Sequence, residues 1–143
     1  MRSILEMDRG QAARAALPIS RRIERAADWR PAFDKAHREF LTAQRAQYAT
    51  GSVWRPDLPQ TVAQKARHGG SGRTLTDSGR LARSLTATGP EHVYRTTRDS
   101  AEMGTTVPYA RYVKAAGRAP VVVTAALRGA WLRIVRQHLA GGR

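Results

Sequence analysis

The chain has 143 residues, which is enough for one domain with a modest core. Its hydrophobic content of 41% excludes a wholly disordered chain, and its lack of cysteine excludes disulfides, thiolate metal sites and a cysteine nucleophile. The formal net charge of +14 favours an anionic partner such as nucleic acid, an acidic protein surface or a membrane face, with a merely solvated basic surface as the alternative.

The N-terminal segment, residues 1–28, mixes good helix formers with Gly10 and Pro18. Proline removes a helical hydrogen bond and glycine weakens a helix, so a broken or partner-dependent helix is predicted. This segment is expected to become ordered on partners. Residues 29–143 are predicted to form a single domain.

The domain is predicted to begin with an amphipathic helix over residues 31–48, because a proline at its start is followed by apolar residues at three- and four-residue spacing. Gly51 ends this helix, and an extended proline-rich loop follows. Trp54 in that loop either fills the core or contacts a neighbouring subunit. A short helix capped by Thr61 is then predicted to run to Arg67.

A glycine-rich stretch, residues 68–74, is predicted to be a flexible loop. It either becomes ordered on a neighbour or DNA, or is a plain linker. Thr76 or Asp77 is expected to begin a helical turn after this loop, and Asp77 suits a helix N-terminus. Three short strands are predicted next, joined at hairpin distances as an antiparallel meander: residues 84–88, 92–97 and 100–105.

Pro108 is predicted to open a short helix with Tyr109 and Tyr112 on one face, where their hydroxyls can lie at a subunit boundary. Residues 121–123 fit either a strand or an extended connector. A last helix from Thr124 is predicted to place an apolar side on the sheet and to leave a basic side for a partner. The residues of that basic side are Arg128, Arg133 and Arg136.

The fold class predicted from these elements is α+β, with a small antiparallel sheet of three or four strands packed with a long N-terminal helix and a C-terminal helix. No stretch has the ~20 apolar residues that span a bilayer, and the N-terminus lacks the apolar region of a signal peptide. A protein that stays in the cytoplasm while it is made is therefore expected.

No catalytic constellation is recognisable in the sequence. The serines lack a nucleophile-elbow context, the four histidines are too scattered for metal-ligand spacing, and the glycine-rich loop lacks the lysine of a phosphate-binding loop. We therefore expect neither an enzyme nor a cofactor or metal.

Nucleic-acid binding is a stronger alternative than catalysis. One basic run includes Lys65, Arg73 and Arg80, and the arginines of the last helix form a second cluster. Neither comes with a zinc-finger, RNA-binding or zipper pattern, so contacts with DNA would be non-specific phosphate contacts that weaken with salt. A toxin-like or regulatory basic protein is a third interpretation.

Two separated motifs give the most specific signal in the sequence. Asp77-Ser-Gly-Arg-Leu81 forms one, and Gly104-Thr105 followed by Pro108-Tyr-Ala110 forms the other. With the loop that precedes them, they resemble the phage virion morphogenesis family, the Mu G-like tail-completion or neck proteins, over roughly residues 40–140. The matching positions are Gly51, Trp54, Thr61, Lys65, Asp77, Ser78, Gly79, Leu81, Ser84, Gly104, Thr105, Tyr109 and Ala110.

The resemblance implies a structural protein at the phage neck or tail top that acts in tail completion and head–tail joining as a subunit of a ring. It implies as partners further copies of the chain, head–tail connector or adaptor proteins, and tail terminator or tail tube proteins, with possible contact with packaged DNA and none with a membrane. The implied location is the virion, after assembly in the host cytoplasm. The predicted interface residues are Trp54, Arg73, Arg80, Tyr109, Tyr112, Arg128, Arg133 and Arg136, and the predicted structural motif residues are Gly51, Asp77, Gly79, Leu81, Gly104 and Pro108.

Overall fold

The computed structural model describes residues 9–141, which form six helices and one two-stranded sheet. The α+β class is confirmed. In chain order the elements are α1 (Arg9–Ala27), α2 (Arg30–Thr50), α3 (Pro59–Arg67), α4 (Arg80–Thr86), β1 (His92–Thr96), β2 (Ala101–Thr105), α5 (Ala110–Ala115) and α6 (Ala125–Ala140).

The amphipathic helix predicted over residues 31–48 is confirmed as α2, which contacts α4, α6 and both strands. Gly51 ends it in the left-handed conformation at φ +66°, and its N–H donates to the Gln47 carbonyl. The sequence does not single out Gln44, which is fully buried. Its side-chain amide exchanges two hydrogen bonds with the backbone of Val122, which holds residues 121–123 as an extended connector.

The sheet has two strands within residues 9–141 and not three or four, and β1 and β2 pair antiparallel with His92 opposite Thr105. The predicted strand over residues 84–88 is wrong, because residues up to Thr86 belong to α4. Leu81, Ser84 and Leu85 are all buried, and their i, i+3, i+4 spacing is that of a helical face and not of a strand.

Several predicted helix boundaries need correction. Pro59, at the first position of α3, starts that helix in place of a Thr61 cap, and α4 begins at Arg80, later than Asp77. The predicted start of the last helix is confirmed to within one residue, since α6 begins at Ala125. Thr124 is its N-cap, and the Thr124 hydroxyl accepts a hydrogen bond from the Leu127 N–H at 3.1 Å.

The N-terminal helix α1 continues through Pro18, so the predicted break is wrong for residues 9–27. Residues 1–8 lie outside the described residues. Helix α6 packs mainly on α2 and also contacts α1, which corrects the expectation that its apolar side covers the sheet. The main core lies where α2, α4, the hairpin and α6 meet, around Phe40, Leu85, Val107 and Leu127.

Candidate functional site

The structure places Trp54 in the core. Only 6% of its surface is exposed, its indole N–H donates to the Ala119 carbonyl at 2.8 Å, and its ring centroid lies 4.8 Å from that of Tyr48. Burial raises the pKa of Tyr48, whose hydroxyl donates to the Pro120 carbonyl. Trp54 therefore belongs to the interior of its own subunit and not to the exposed interface set.

An ion cluster forms around one buried carboxylate and consists of Asp57, Lys65 and Arg118. Lys65 Nζ lies 2.7 Å and Arg118 Nη1 2.5 Å from the two carboxylate oxygens of Asp57, whose side chain is 2% exposed. Burial alone would raise the pKa of Asp57, but the hydrogen bonds from Lys65 and Arg118 outweigh it and lower the pKa below its usual value. We call these three residues the Asp57 cluster.

The Asp57 cluster organises the glycine-rich loop. Lys65 Nζ also donates to the Arg73 carbonyl at 3.1 Å, and the Lys65 carbonyl accepts from the Gly70 N–H at 2.8 Å. A Cβ atom at Gly70 would lie 2.2 Å from Asp77 Oδ1, so the loop approaches the Asp77 motif too closely for a side chain there. Lys65 is therefore occupied inside the chain, which weakens its predicted role in phosphate contact.

The two sequence motifs meet in space. Gly79 has φ +76° and forms the N-cap of α4, so that Leu81 becomes buried to 3% exposure. Ser84 Oγ lies 2.7 Å from Thr105 Oγ1, and the Thr105 hydroxyl accepts from the Val107 N–H. Gly104 and Thr105 end β2 as predicted. Pro108 does not open α5 as predicted: it lies in a turn, and Tyr109 is the N-cap before the first helical residue, Ala110. The motif residues thus join α4, the hairpin and α5.

A histidine pair connects the same elements to α2. His92 Nδ1 donates to the Ser84 carbonyl at 2.8 Å, which leaves His92 Nε2 to accept from His37 Nε2 at 2.7 Å when both rings are neutral. Tyr94 stacks on His37 at a centroid distance of 3.9 Å. Burial, and then the charge of His92, lower the pKa of His37. The pair is a structural link between α2 and β1, and its surroundings favour the neutral form of His37.

The predicted interface residues near this motif differ in their exposure and in whether they already have a partner within the chain. Arg80 forms a bidentate ion pair with Glu91, so its charge is balanced within the chain. Arg73 has an exposed side chain. Tyr109 and Tyr112 are 38% and 62% exposed, which leaves both accessible to a neighbour. Tyr112 carries Arg111 over its ring, 4.7 Å from the centroid.

The outer face of α6 is a predicted interface surface with exposed basic side chains. Arg128, Arg133 and Arg136 are exposed, and within residues 9–141 none of them forms an ion pair with an acidic side chain. Leu132 is 56% exposed among them. This face, which the three arginines define, is called the α6 face below; it combines positive charge with apolar surface.

An apolar groove of about 550 Å³ lies on another side of α6, between that helix, α2, the hairpin and the connector. The groove is not evident from the sequence, because its lining comes from segments that are far apart in the chain. Trp131 and Val135 are four residues apart, and this helical spacing predicts that they lie on one side of α6. No sequence pattern indicates that Trp29 and Met103 lie beside them. Among the described residues no cluster suits a metal ion and no helix is long and apolar enough to cross a membrane.

The described residues form a folded domain with exposed surfaces at the α6 face and at Tyr109 and Tyr112. A family model described as the phage virion morphogenesis family matches residues 31–124. The match covers α2 through the connector, starting earlier and ending earlier than the resemblance over residues 40–140. No curated protein and no solved structure matches the chain.

Proposed function

Since the chain belongs to the phage virion morphogenesis family, we propose that it is a subunit of a ring at the phage neck or tail top, where it completes the tail and joins it to the head. Membership gives the chain a structural role in phage assembly and associates it with the virion. The position in the particle, the ring and the joining step are the proposed part.

The observation that best supports a joining role is the state of the arginines on the α6 face. They are exposed without acidic partners in the described part of the chain, whereas Arg80 forms an ion pair with Glu91 and Lys65 with Asp57. Desolvating an unpaired charge is costly, so an acidic partner surface would fit this face better than an apolar one. Head–tail connector or adaptor proteins on one side, and tail terminator or tail tube proteins on the other, are the proposed partners.

Charge complementarity between the α6 face and an acidic partner would act mainly on the rate and orientation of their encounter. Opposite charges on two surfaces raise the encounter rate and fix register more than they raise final affinity. A ring also needs two different faces on each copy, because a closed ring is built from heterologous contacts. Tyr109 and Tyr112, whose side chains are exposed, are available for such contacts.

Non-specific nucleic-acid binding is the second candidate, and the same unpaired arginines favour it. An inward-facing α6 face would contact packaged DNA through phosphates. Such binding would weaken steeply as salt is raised, at a slope set by the number of phosphates neutralised.

Electron microscopy of particles made after deletion of the gene from its source genome tests the proposal. Separate DNA-filled heads and unattached tails, or tails of faulty length, are expected, and supplying the wild-type gene from a plasmid should restore joined particles. Intact infectious particles after deletion would contradict the proposal and leave salt-dependent DNA binding as the leading account.

A further inference from the structure

The contact between His37 and His92 needs one ring to donate and the other to accept. The two Nε2 atoms lie 2.7 Å apart, and His92 Nδ1 donates to the Ser84 carbonyl at 2.8 Å. A neutral His92 therefore has a lone pair at Nε2, and this lone pair accepts the Nε2–H of His37. In this arrangement the two rings hold α2 against β1.

The contact can take up one proton but not two. A proton on Nδ1 of His37 leaves its Nε2–H free to donate to His92 as before. A second proton must bind His92 at Nε2, so that two N–H groups on two charged rings face each other at the 2.7 Å contact. Neither group can accept a hydrogen bond and the like charges repel, so the rings must separate.

The charged groups beside His37 on α2 do not remove this conflict. Asp34 favours the charged form of His37, and Arg38 opposes it. Asp34 Oδ1 also accepts the hydroxyl hydrogen of Tyr94 at 2.6 Å. The only carboxylate that favours a charged His37 is thus already engaged with β1, and it cannot separate the two facing N–H groups.

The groups beside His92 offer no free acceptor either. Arg80, Arg83 and Glu91 line a pocket with His92, and Glu91 already forms an ion pair with Arg80. Thr105, which lies opposite His92 on β2, is uncharged. Among the described residues that line this pocket, no carboxylate is left unpaired for a charged His92.

The protonation of His37 gives the direction of the pH effect. Burial, and then the charge of His92, lower the pKa of His37 in the folded protein. Histidines in an unfolded chain have a pKa of about 6.5. The stability that comes from neutral His37 is therefore fully present above that value and is lost as the pH falls through the lower, folded pKa.

We propose that the histidine pair is a proton-sensitive switch, which holds β1 on α2 at neutral pH and opens in mild acid when both rings are charged. The contact between the Ser84 and Thr105 hydroxyls contains no group that titrates in this range, so it still joins the hairpin to α4. Acid thus loosens the hairpin from α2 while α4 retains it. This switch is a property of the fold and does not depend on the proposed role in the phage particle.

A glutamine at position 37 should keep the contact and remove its pH dependence. The amide of His37→Gln can donate to a neutral His92 or, after rotating, accept from a charged one. His68→Gln is the matched control, because it removes an exposed histidine outside the pair. Urea denaturation of the wild type and both variants would be measured at pH 7 and pH 5, above the range of about 4 in which carboxylates titrate.

Each proton by which the two states differ changes the unfolding constant by up to about tenfold per pH unit. Between pH 7 and pH 5 we therefore expect this constant to rise at least about tenfold more for the wild type and for His68→Gln than for His37→Gln. An equal rise in all three proteins would overturn the proposal.

NMR spectra of the wild-type protein test the opening itself and need no variant. At pH 7 the ring ¹⁵N shifts should place the proton on Nε2 of His37 and on Nδ1 of His92, with a nuclear Overhauser effect between the two rings. At pH 5 both rings should be charged and this effect lost, while the rest of the spectrum stays dispersed. Rings that remain uncharged at pH 5, or a ring-to-ring effect that persists when both are charged, would overturn the proposal even if the urea data agree with it.

Discussion

The Asp57 cluster and the α6 face both contain basic side chains, but those of the cluster have an acidic partner and those of the α6 face have none among the described residues. In the cluster, Lys65 and Arg118 both form ion pairs with one buried carboxylate, that of Asp57. On the α6 face, three arginines stand exposed with no acidic partner among the described residues. The location of the few acidic residues therefore decides which basic residues stabilise the fold and which remain for a partner.

This difference separates stability from assembly along the chain. Residues 51–79 and 118–120 are fastened to one another by Trp54 and the Asp57 cluster, so changes there should weaken folding. Changes on the α6 face should leave folding intact and affect joining. The expected effect on the free energy of unfolding is therefore largest for changes around Trp54 and Asp57 and smallest for changes on the α6 face.

Replacing Trp54 by alanine should have the largest effect. Trp54→Ala empties a buried site and removes the bond to the Ala119 carbonyl, so the free energy of unfolding should fall by about 3–5 kcal/mol. Urea denaturation followed by circular dichroism measures it. Leu132→Ala on the exposed α6 face is the control and should change stability by less than about 0.5 kcal/mol; similar losses for the two variants would contradict the core position of Trp54.

Replacing Asp57 by asparagine should have the next largest effect. Asp57→Asn keeps the shape but leaves Lys65 and Arg118 without their anion, which should cost about 2–3 kcal/mol because the two cations keep partial access to water. Glu102→Gln removes one exposed negative charge from β2 and is expected to be nearly neutral. If both variants unfold at the same urea concentration as the wild type, the cluster does not stabilise the fold.

Acid should weaken the fold through the same carboxylate. The pKa of Asp57 is lowered in the folded state, so its contribution to stability is fully present above the ordinary value of about 4 and is lost as the pH falls through the lower, folded value. Asp28, whose pKa a hydrogen bond from Arg30 lowers to about 2, acts in the same direction. Urea midpoints measured between pH 7 and pH 3 should therefore fall less for Asp57→Asn than for the wild type. Parallel curves would contradict this assignment.

Charge reversal on the α6 face should have the smallest effect on stability. Arg128→Glu lies near the start of α6 and Arg136→Glu near its end, so their interactions with the helix dipole oppose each other. With Arg133→Glu, the triple variant should change the free energy of unfolding by less than about 1 kcal/mol. A larger loss in urea denaturation would mean that these arginines stabilise the fold.

The sequence predicted the parts of the structure that depend on local chemistry. Gly51 ends α2, the last helix starts next to Thr124, and the spacing from Leu127 to Ile134 forms the buried side of α6. It failed at residues 84–88, where the helical face of Leu81 and Leu85 outweighed the strand preference of the following threonines.

The remaining features depend on residues that are far apart in sequence. Asp57 and Arg118 meet across 61 positions, and nothing near either residue indicates the other. The apolar groove likewise combines Trp29, Met103 and Trp131. The α6 arginines were found because helical spacing is local, but that they lack partners follows only from the tertiary structure.

The most direct test of the account adds purified protein to an extract of heads and tails from a phage that lacks the gene, and measures infectious particles. Wild-type protein should restore infectivity, whereas the folded variant Arg128→Glu/Arg133→Glu/Arg136→Glu should not. Full restoration by that variant would contradict the claim that the α6 face joins the particle.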